Sequence, residues 1–287
     1  MKAVVITGVS SGIGYDATRY LIDQGYLVFG SVRTVDDQQR LLADFPSNFH
    51  AMLFSLTDYE AIRREACRVQ EILGENRLTA LVNNAGIAVA GPMQLIDDDL
   101  FEQQMQVNLF GTRVVTNAFL PLMGVDSQSQ QFNKQRPKNG GKIINISSIS
   151  GILNTPLNGS YCVAKHAMES LGEVYRRELY MYGIDVISIQ PGPIQSKIWD
   201  KNRGAMQEFY DTDYGPMIHN VETIMQEAQK DAMPAETVSK LIDQIIQSKR
   251  PKLSYIVHRK KWPIQIITKY IPARIVDYIL WKKLSPR

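Results

Sequence analysis

An α/β fold is predicted, a doubly wound parallel sheet in three layers (α/β/α), built as a single domain with a helical extension at its C-terminus. Short apolar runs alternate with amphipathic helical stretches, which is the pattern of strands joined by crossover helices. A glycine-rich turn joins the first such run to the first helix. No Pro/Gly/Ser-rich linker divides the 287 residues, a length that suits one sizeable core.

The first strand is the run Ala3 to Ile6, and the helix after it carries Ile13, Ala17 and Leu21 on one face. A second strand covers Tyr26 to Val32. It is followed by a polar helix around Asp36 to Ala43, a short strand from Ala51 to Phe54, a helix from about Tyr59 to Leu73, and the strand Leu78 to Val82. Apolar runs with no polar alternation mean strands covered on both faces, hence a parallel sheet. A long helix from about Asp97 to Leu122 opens with three acids, where the helix dipole favours them. The stretch Val125 to Gly141, rich in Gln, Asn, Ser and Lys, reads as an exposed loop. The strand Lys142 to Ile146, a helix starting near Tyr161 and the strand Asp185 to Ile189 complete six strands, with a seventh at Leu253 to Val257.

Charge is uneven although the net is only +3. Residues 251 to 287 carry nine Lys/Arg against the single acid Asp277, whereas residues 1 to 250 hold 23 basic and 28 acidic groups. Within the tail Trp262, Ile264, Ile267, Ile271, Ile275, Tyr278, Ile279 and Trp281 recur at roughly helical spacing. We therefore divide the chain into a body, 1 to 257, with a lid at 195 to 233, and a basic amphipathic extension, 258 to 287. That extension either rests on anionic lipid, packs beside the lid, or lies at a subunit interface. No run of uncharged apolar residues reaches the length that spans a bilayer. No nucleic-acid partner is expected. The two cysteines, Cys67 and Cys162, suit neither a disulfide framework nor a zinc site. Both are expected to be buried thiols in a reducing compartment, and no His/Cys/acid cluster suggests a metal. The first strand begins beside Met1, which leaves no room for a signal peptide, so the expected location is cytoplasmic, with peripheral membrane contact open.

In the segment Thr7 to Gly14, Gly8 gives backbone freedom, Gly12 lets the main chain approach a phosphate, and Gly14 allows tight helix-on-strand packing. Ser10, Ser11 and Ile13 complete this set, and the helix N-terminus offers unpaired N–H groups to a pyrophosphate. The turn therefore marks a dinucleotide site. An acid at the end of the second strand would chelate the ribose of NAD, but Ser31-Val32-Arg33 has none, and Arg33 suits a 2′-phosphate. NADP(H) is expected in preference to NAD(H), with Asp36 and Asp37 nearby as the competing signal.

Tyr161 and Lys165 lie one helical turn apart. A phenol titrates near pH 10 and serves as a base at neutral pH only if a cation lowers it, a role open to Lys165. Ser148, at the end of the strand Lys142 to Ile146, offers a hydroxyl to a substrate oxygen on which charge develops.

These residues resemble the classical short-chain dehydrogenases/reductases. The resemblance covers about residues 1 to 195 and rests on Thr7 to Gly14, Asn83-Asn84-Ala85-Gly86, Asn108, Ser148, Tyr161 with Lys165, and Pro191-Gly192. It implies that Tyr161 is the general acid/base, that Lys165 tunes it and holds the nicotinamide ribose, and that Ser148 positions the carbonyl or alcohol. Asn108 would hold a water linking Lys165 to solvent. Asn84, Ala85 and Gly86 would flank the adenosine ribose, with Asn83 steadying the sheet. Ile194 and Ser196, after Pro191-Gly192, would meet the nicotinamide carboxamide. Ser55 stands where relatives often carry an adenine-contacting acid, and the 125 to 141 loop is longer than expected.

The lid holds Trp199, Met206, Phe209, Tyr210, Tyr214, Met217 and Ile218. With Ile152, Leu153, Leu157, Ile87, Val89 and Met93 it suggests a lipophilic carbonyl or secondary alcohol, unless these residues simply pack the lid on the body. The pattern looks like the branch containing 17β-hydroxysteroid and retinol dehydrogenases. A reductase of a polar polyol, sugar or acyl-thioester ketone and a non-catalytic NADP(H) sensor are the alternatives. By resemblance, helices at about 97 to 122 and 160 to 181 would pair subunits into a homodimer or homotetramer.

Overall fold

The computed structural model describes residues 2–128, 136–137, 140–195, 204 and 206–285. Seven parallel strands form one sheet, in the order β3-β2-β1-β4-β5-β6-β7. They are β1 (Ala3–Ile6), β2 (Leu27–Val32), β3 (Phe49–Leu53), β4 (Leu78–Asn83), β5 (Lys142–Ile146), β6 (Asp185–Pro191) and β7 (Ser254–Val257). Each expected strand is present, β1 and β5 with the expected bounds and the others shifted at an end by one or two residues.

Side chains alternate across the strands, so β1 feeds two cores. Val4 and Ile6 join Val28, Val82, Ile144 and Ile187 on one face, beneath α1 (Gly12–Asp23), α2 (Val35–Asp44) and a helix near the C-terminus. Ala3 and Val5 join Phe29, Leu81, Ile143 and Val186 on the other face, beneath α3 (Tyr59–Leu73), α5 (Thr112–Phe119) and α6 (Gly159–Glu178), with α4 (Asp98–Met105) packed beside α6. This double burial is why β1 shows no polar alternation. Beyond α6 come α7 (Gly215–Lys230), α8 (Ala235–Gln247), which packs on α1, and the extension helices α9 (Lys261–Tyr270) and α10 (Ala273–Leu284).

Two expectations are corrected. The helix expected across 97 to 122 is interrupted: between α4 and α5 the residues Gln106–Gly111 form a π-helical segment. Gly111 sits there against Leu56, whose carbonyl oxygen would lie 2.5 Å from an added Cβ. Cys162 is buried, but Cys67 is exposed. It lies off the α3 stripe Ile62, Ala66, Val69 and Leu73, which faces the core. Within the expected 125 to 141 loop the described residues 126 to 128 and 136 to 137 are exposed.

Asn83 binds the middle of the sheet to its covering helices. Its Nδ2 donates to Thr116 Oγ1 at 3.0 Å and to Asn145 Oδ1 at 2.9 Å, all buried. Asn83→Leu leaves the Asn145 carbonyl without that donor, and should lower the unfolding free energy by about 2 kcal/mol. Urea denaturation of both proteins measures this, and an unchanged midpoint would contradict a structural role for Asn83.

Candidate active site

Strand order reverses between β1 and β4, where successive crossovers run to opposite sides of the sheet. In open sheets of this kind ligands bind at such a point, beyond the carboxyl ends of the strands. The predicted site residues gather along this edge, from the turn after β1 to the turn after β6.

The glycine turn and the segment after β4 interlock. Gly8 and Gly12 adopt φ of +70° and +60°, in the left-handed region that glycine enters freely. A Cβ on Gly8 would fall 2.9 Å from Ala85 Cα, and one on Gly14 would fall 2.2 Å from the Gly8 carbonyl oxygen. Thr7 Oγ1 accepts from the N–H groups of Asn84 and Ala85, both at 2.9 Å, while Asn84 Nδ2 donates to the carbonyls of Thr7 and Gly8. Gly8 N–H donates to Ser31 Oγ at 3.0 Å. Ser11 takes the N-cap position of α1 without capping it through its side chain, so the first N–H groups of the helix have no capping side chain. A close-approach turn with an uncapped helix start behind it fits the pyrophosphate of a dinucleotide.

Arg33 stands exposed just past the end of β2. A cation that the sequence reading passed over stands near the same turn: Arg40 Nη2 donates to the carbonyl of Ser10 at 2.9 Å and pairs with Asp37 at 2.8 Å. Asp37 is thereby engaged by Arg40. No sequence motif marks Arg40; only its place one turn along α2 brings it to the glycine loop.

Ser148, Tyr161 and Lys165 converge after β5. Ser148 caps a short 3-10 turn (Ile149–Gly151), its Oγ accepting from the N–H of Ser150 at 3.0 Å. The Ser148 side chain also acts on the Tyr161 phenol, favouring its ionised form. Tyr161 opens α6 and Lys165 lies one turn further in, buried, its Nζ donating to the carbonyl of Ile146 at 2.8 Å. Nζ lies 5.6 Å from the centre of the Tyr161 ring. Burial pushes the phenol up to about 12, with the Ser148 side chain pulling the other way. Burial also pulls the ammonium down to about 8, against the charge of Glu169. The expectation that Lys165 lowers the phenol is therefore not met, because desolvation outweighs a cation whose hydrogen bond goes to Ile146. The phenol is protonated at neutral pH.

Asn108 lies in the π-helical segment, buried, with its amide clamped on Ile87: Oδ1 accepts from the N–H and Nδ2 donates to the carbonyl, both at 2.8 Å. Gly86 lies between the two polar groups, since a Cβ there would meet Asn108 Oδ1 at 3.1 Å and Lys165 Nζ at 3.9 Å. Two further residues, unmarked by the sequence reading, fix the following stretch. Val89 N–H donates to Gln104 Oε1 at 2.6 Å, and Ser160 Oγ donates to the Val89 carbonyl at 2.9 Å.

Pro191 ends β6, and Gly192 passes so close to His258 that a Cβ would fall 2.1 Å from the ring. Ile194 pairs with Met233 through bonds made by Pro193 O and Gln195 N, so neither uses the amide of Ile194 itself. Ser196 and Trp199 lie outside the described residues. The lid residues divide. Met206, Phe209 and Ile218 are buried with Leu157, and Tyr214 and Met217 pack against them. Tyr210 is exposed, its hydroxyl donating to Glu222. Ile87, Val89, Ile152 and Leu153 stay partly exposed, and Met93 is exposed.

A family model described as short chain dehydrogenase matches residues 2–207. The chain is 36% identical over 285 residues to the NADPH-dependent 3-dehydrocapnine reductase of Ornithobacterium rhinotracheale, covering 99% of this chain and 98% of that one. It is 28% identical over 306 residues to estradiol 17-beta-dehydrogenase 2 of Mus musculus, covering 100% of this chain and 76% of that one. Among solved structures, a short chain dehydrogenase from Burkholderia cenocepacia in complex with NADP shares the fold, with a TM-score of 0.73 at 22% identity and full coverage of both chains. The chain belongs to the short chain dehydrogenase family.

Proposed function

We propose that the protein is an NADPH-dependent carbonyl reductase acting on a lipophilic ketone or aldehyde, and in reverse on the matching secondary alcohol. The observation that carries this reading is the meeting of Ser148, protonated Tyr161 and buried Lys165 beside a glycine turn shaped for a dinucleotide. When bound, the reduced nicotinamide supplies the hydride. Ser148 donates to the substrate oxygen, and Tyr161 gives its proton to that oxygen as negative charge develops on it. Lys165 has donors beyond the one given to Ile146, which hold ribose hydroxyls and place positive charge behind the phenol. Asn108 orders the water through which Lys165 exchanges protons with solvent. By the family resemblance Ile194, with Ser196 beyond the described residues, would hold the carboxamide, and Asn84, Ala85 and Gly86 would flank the adenosine ribose.

Three observations support NADP(H) over NAD(H): no acid ends β2, Arg33 stands exposed there, and Asp37 is engaged by Arg40. The 36% identical relative named as NADPH-dependent agrees. The partly exposed Ile87, Val89, Ile152 and Leu153, after β4 and β5, and the relative named for estradiol favour a steroid-, retinoid- or fatty-like substrate. They favour the 17β-hydroxysteroid and retinol dehydrogenase branch over a polyol, sugar or acyl-thioester reductase. Such a substrate suits peripheral membrane contact from the cytoplasm, and no described helix is long and apolar enough to cross a membrane. Exposed Leu100 and Phe110 on the 97 to 122 unit, with Val163 and Val174 on α6, suit pairing of subunits as a homodimer or homotetramer.

Tyr161→Phe should cut kcat for ketone reduction by about 10²–10⁴-fold, with NADPH affinity unchanged in a fluorescence titration; near-full turnover would overturn the assigned acid. Arg33→Ala should lower kcat/KM with NADPH by about tenfold or more and leave the NADH value unchanged, and an equal loss with both coenzymes would count against the phosphate contact. The ammonium of Lys165 is present below about pH 8 and lost above it, while the phenol keeps its proton to about 12. The kcat/KM for reduction should therefore be level in neutral buffer and fall as pH rises through about 8. A profile with no alkaline fall would show that the ammonium has no part in the reaction.

A further inference from the structure

We propose that α9 and α10 form a docking surface for an anionic bilayer, and that this surface is clasped to the lid helix α7, so that a lipid-dissolved substrate enters where the protein sits on the membrane. The second half rests on the lipophilic-substrate reading above; the first does not.

The two helices leave most of their apolar residues in the open. Trp262, Ile266 and Tyr270 follow one another at four-residue steps along α9, and Ile275, Tyr278, Ile279 and Trp281 are exposed on α10. Tyr270 and Trp262 expose 76% and 68% of their surfaces, and only Ile264 and Leu284 in these helices are buried. The extension does lie beside the lid, one of its three readings, through Asn220 on the carbonyls of Leu284 and Ser285, but these apolar side chains are not spent on that contact. Lysines stand among them: Lys261 lies 5.8 Å from the centre of the Trp262 ring, and Lys269, Lys282 and Lys283 close the two helices. Aromatic rings with lysines at their flanks suit the headgroup layer, where rings sit at the apolar boundary and ammonium groups reach phosphate.

Charge decides between lipid and a second copy. With five Lys/Arg against the single acid Asp277 in α9 and α10, a two-fold contact through this face would set like charge against like. An anionic membrane supplies the complement.

The clasp is visible at two points, one in the first half of α7 and one just past its C-terminus. Asn220 Nδ2 donates to the carbonyls of Leu284 and Ser285, at 3.0 and 3.2 Å, at the end of α10 where carbonyls lack helical partners. At the far end, Arg259 Nε donates to the carbonyl of Asp231 at 3.0 Å. Two residues before the first tie, Ile218 is fully buried against Leu157, Met206 and Phe209, and Leu157 precedes Tyr161 by four residues. A force on the extension therefore reaches the roof of the site through one helix.

The test uses the full chain with vesicles of phosphatidylcholine alone, or with an equal part of phosphatidylglycerol. The protein should sediment only with the anionic vesicles, with a blue shift of tryptophan emission. Replacing Lys261, Lys269, Lys282 and Lys283 by Gln should weaken binding by about two orders of magnitude, and Trp262→Ser with Trp281→Ser by about tenfold or more. Equal partition onto both vesicles, no binding, or a dimer dissociated by the same tryptophan changes would overturn the docking surface. Asn220→Ala should bind vesicles as the parent does but lose the vesicle-induced fall in KM for a lipid-soluble ketone; an undiminished fall would overturn the clasp. Sedimentation reads docking without turnover, so absence of reduction of any ketone, including a water-soluble one, would strike the redox reading and leave docking judged separately.

Discussion

A buried ammonium with more donors than acceptors governs the candidate site. Lys165 carries three N–H donors, and its described partners are the carbonyl of Ile146 and the weakly accepting sulfur of Met168. Desolvation without full pairing is why the group is pulled down to about 8. Ile146 is held at the end of β5, and α6 is held over the sheet by Gly172, where a Cβ would press on the amide of Asn145. Neither partner can move to satisfy the remaining donors. A ligand that brings oxygen acceptors to this position therefore gains more than it would on an exposed surface. In the proposed function, ribose hydroxyls are those acceptors, which couples coenzyme binding to proton chemistry through one residue.

The parts of the fold and site that were legible in the sequence are those in which backbone geometry dictates residue type. Gly8, Gly12 and Gly14 could be read because positive φ and close approach admit nothing else. The double burial of β1 could be read because both faces demand apolar side chains. Tyr161, Lys165 and Ser148 could be read from helical spacing and from their place after β5. The π-helical segment at Gln106–Gly111 was not legible, since no residue pattern marks it and the contact its Gly111 makes, with Leu56, is distant in sequence. Arg40, Gln104 and Ser160 were missed for a related reason: each acts on backbone distant in sequence, and no spacing rule connects them. The direction of the phenol's shift was misread because sequence places a cation nearby but does not show where its hydrogen bond goes.

The lid shows the same limit in a second form. Composition gathers aromatic and aliphatic residues between 195 and 233, and half of the question is which of them face inward toward their own body. Met206, Phe209 and Ile218 close on Leu157, so they form the lid's own core, whereas Ile87, Val89, Ile152 and Leu153 remain partly open near Ser148. An apolar character for the ligand is thus argued from the floor after β4 and β5 more than from the roof. That floor is pinned by Gln104, Asn108 and Ser160, all buried and all bonded to backbone, so its shape is set before any ligand arrives.

The opposed shifts of the two titrating groups have one cause and one consequence for direction. Burial disfavours charge of either sign, so it raises the acid and lowers the base, leaving Tyr161 firmly protonated and Lys165 charged only below about pH 8. A phenol in that state is ready to give a proton and poor at taking one. Reduction of a carbonyl creates negative charge at the oxygen beside it, the event that makes proton transfer downhill from an otherwise weak acid. Oxidation of an alcohol needs the phenolate, which the same burial opposes unless further positive charge is brought in. Burial thus readies Tyr161 as the acid for the reductive direction of the proposed reaction.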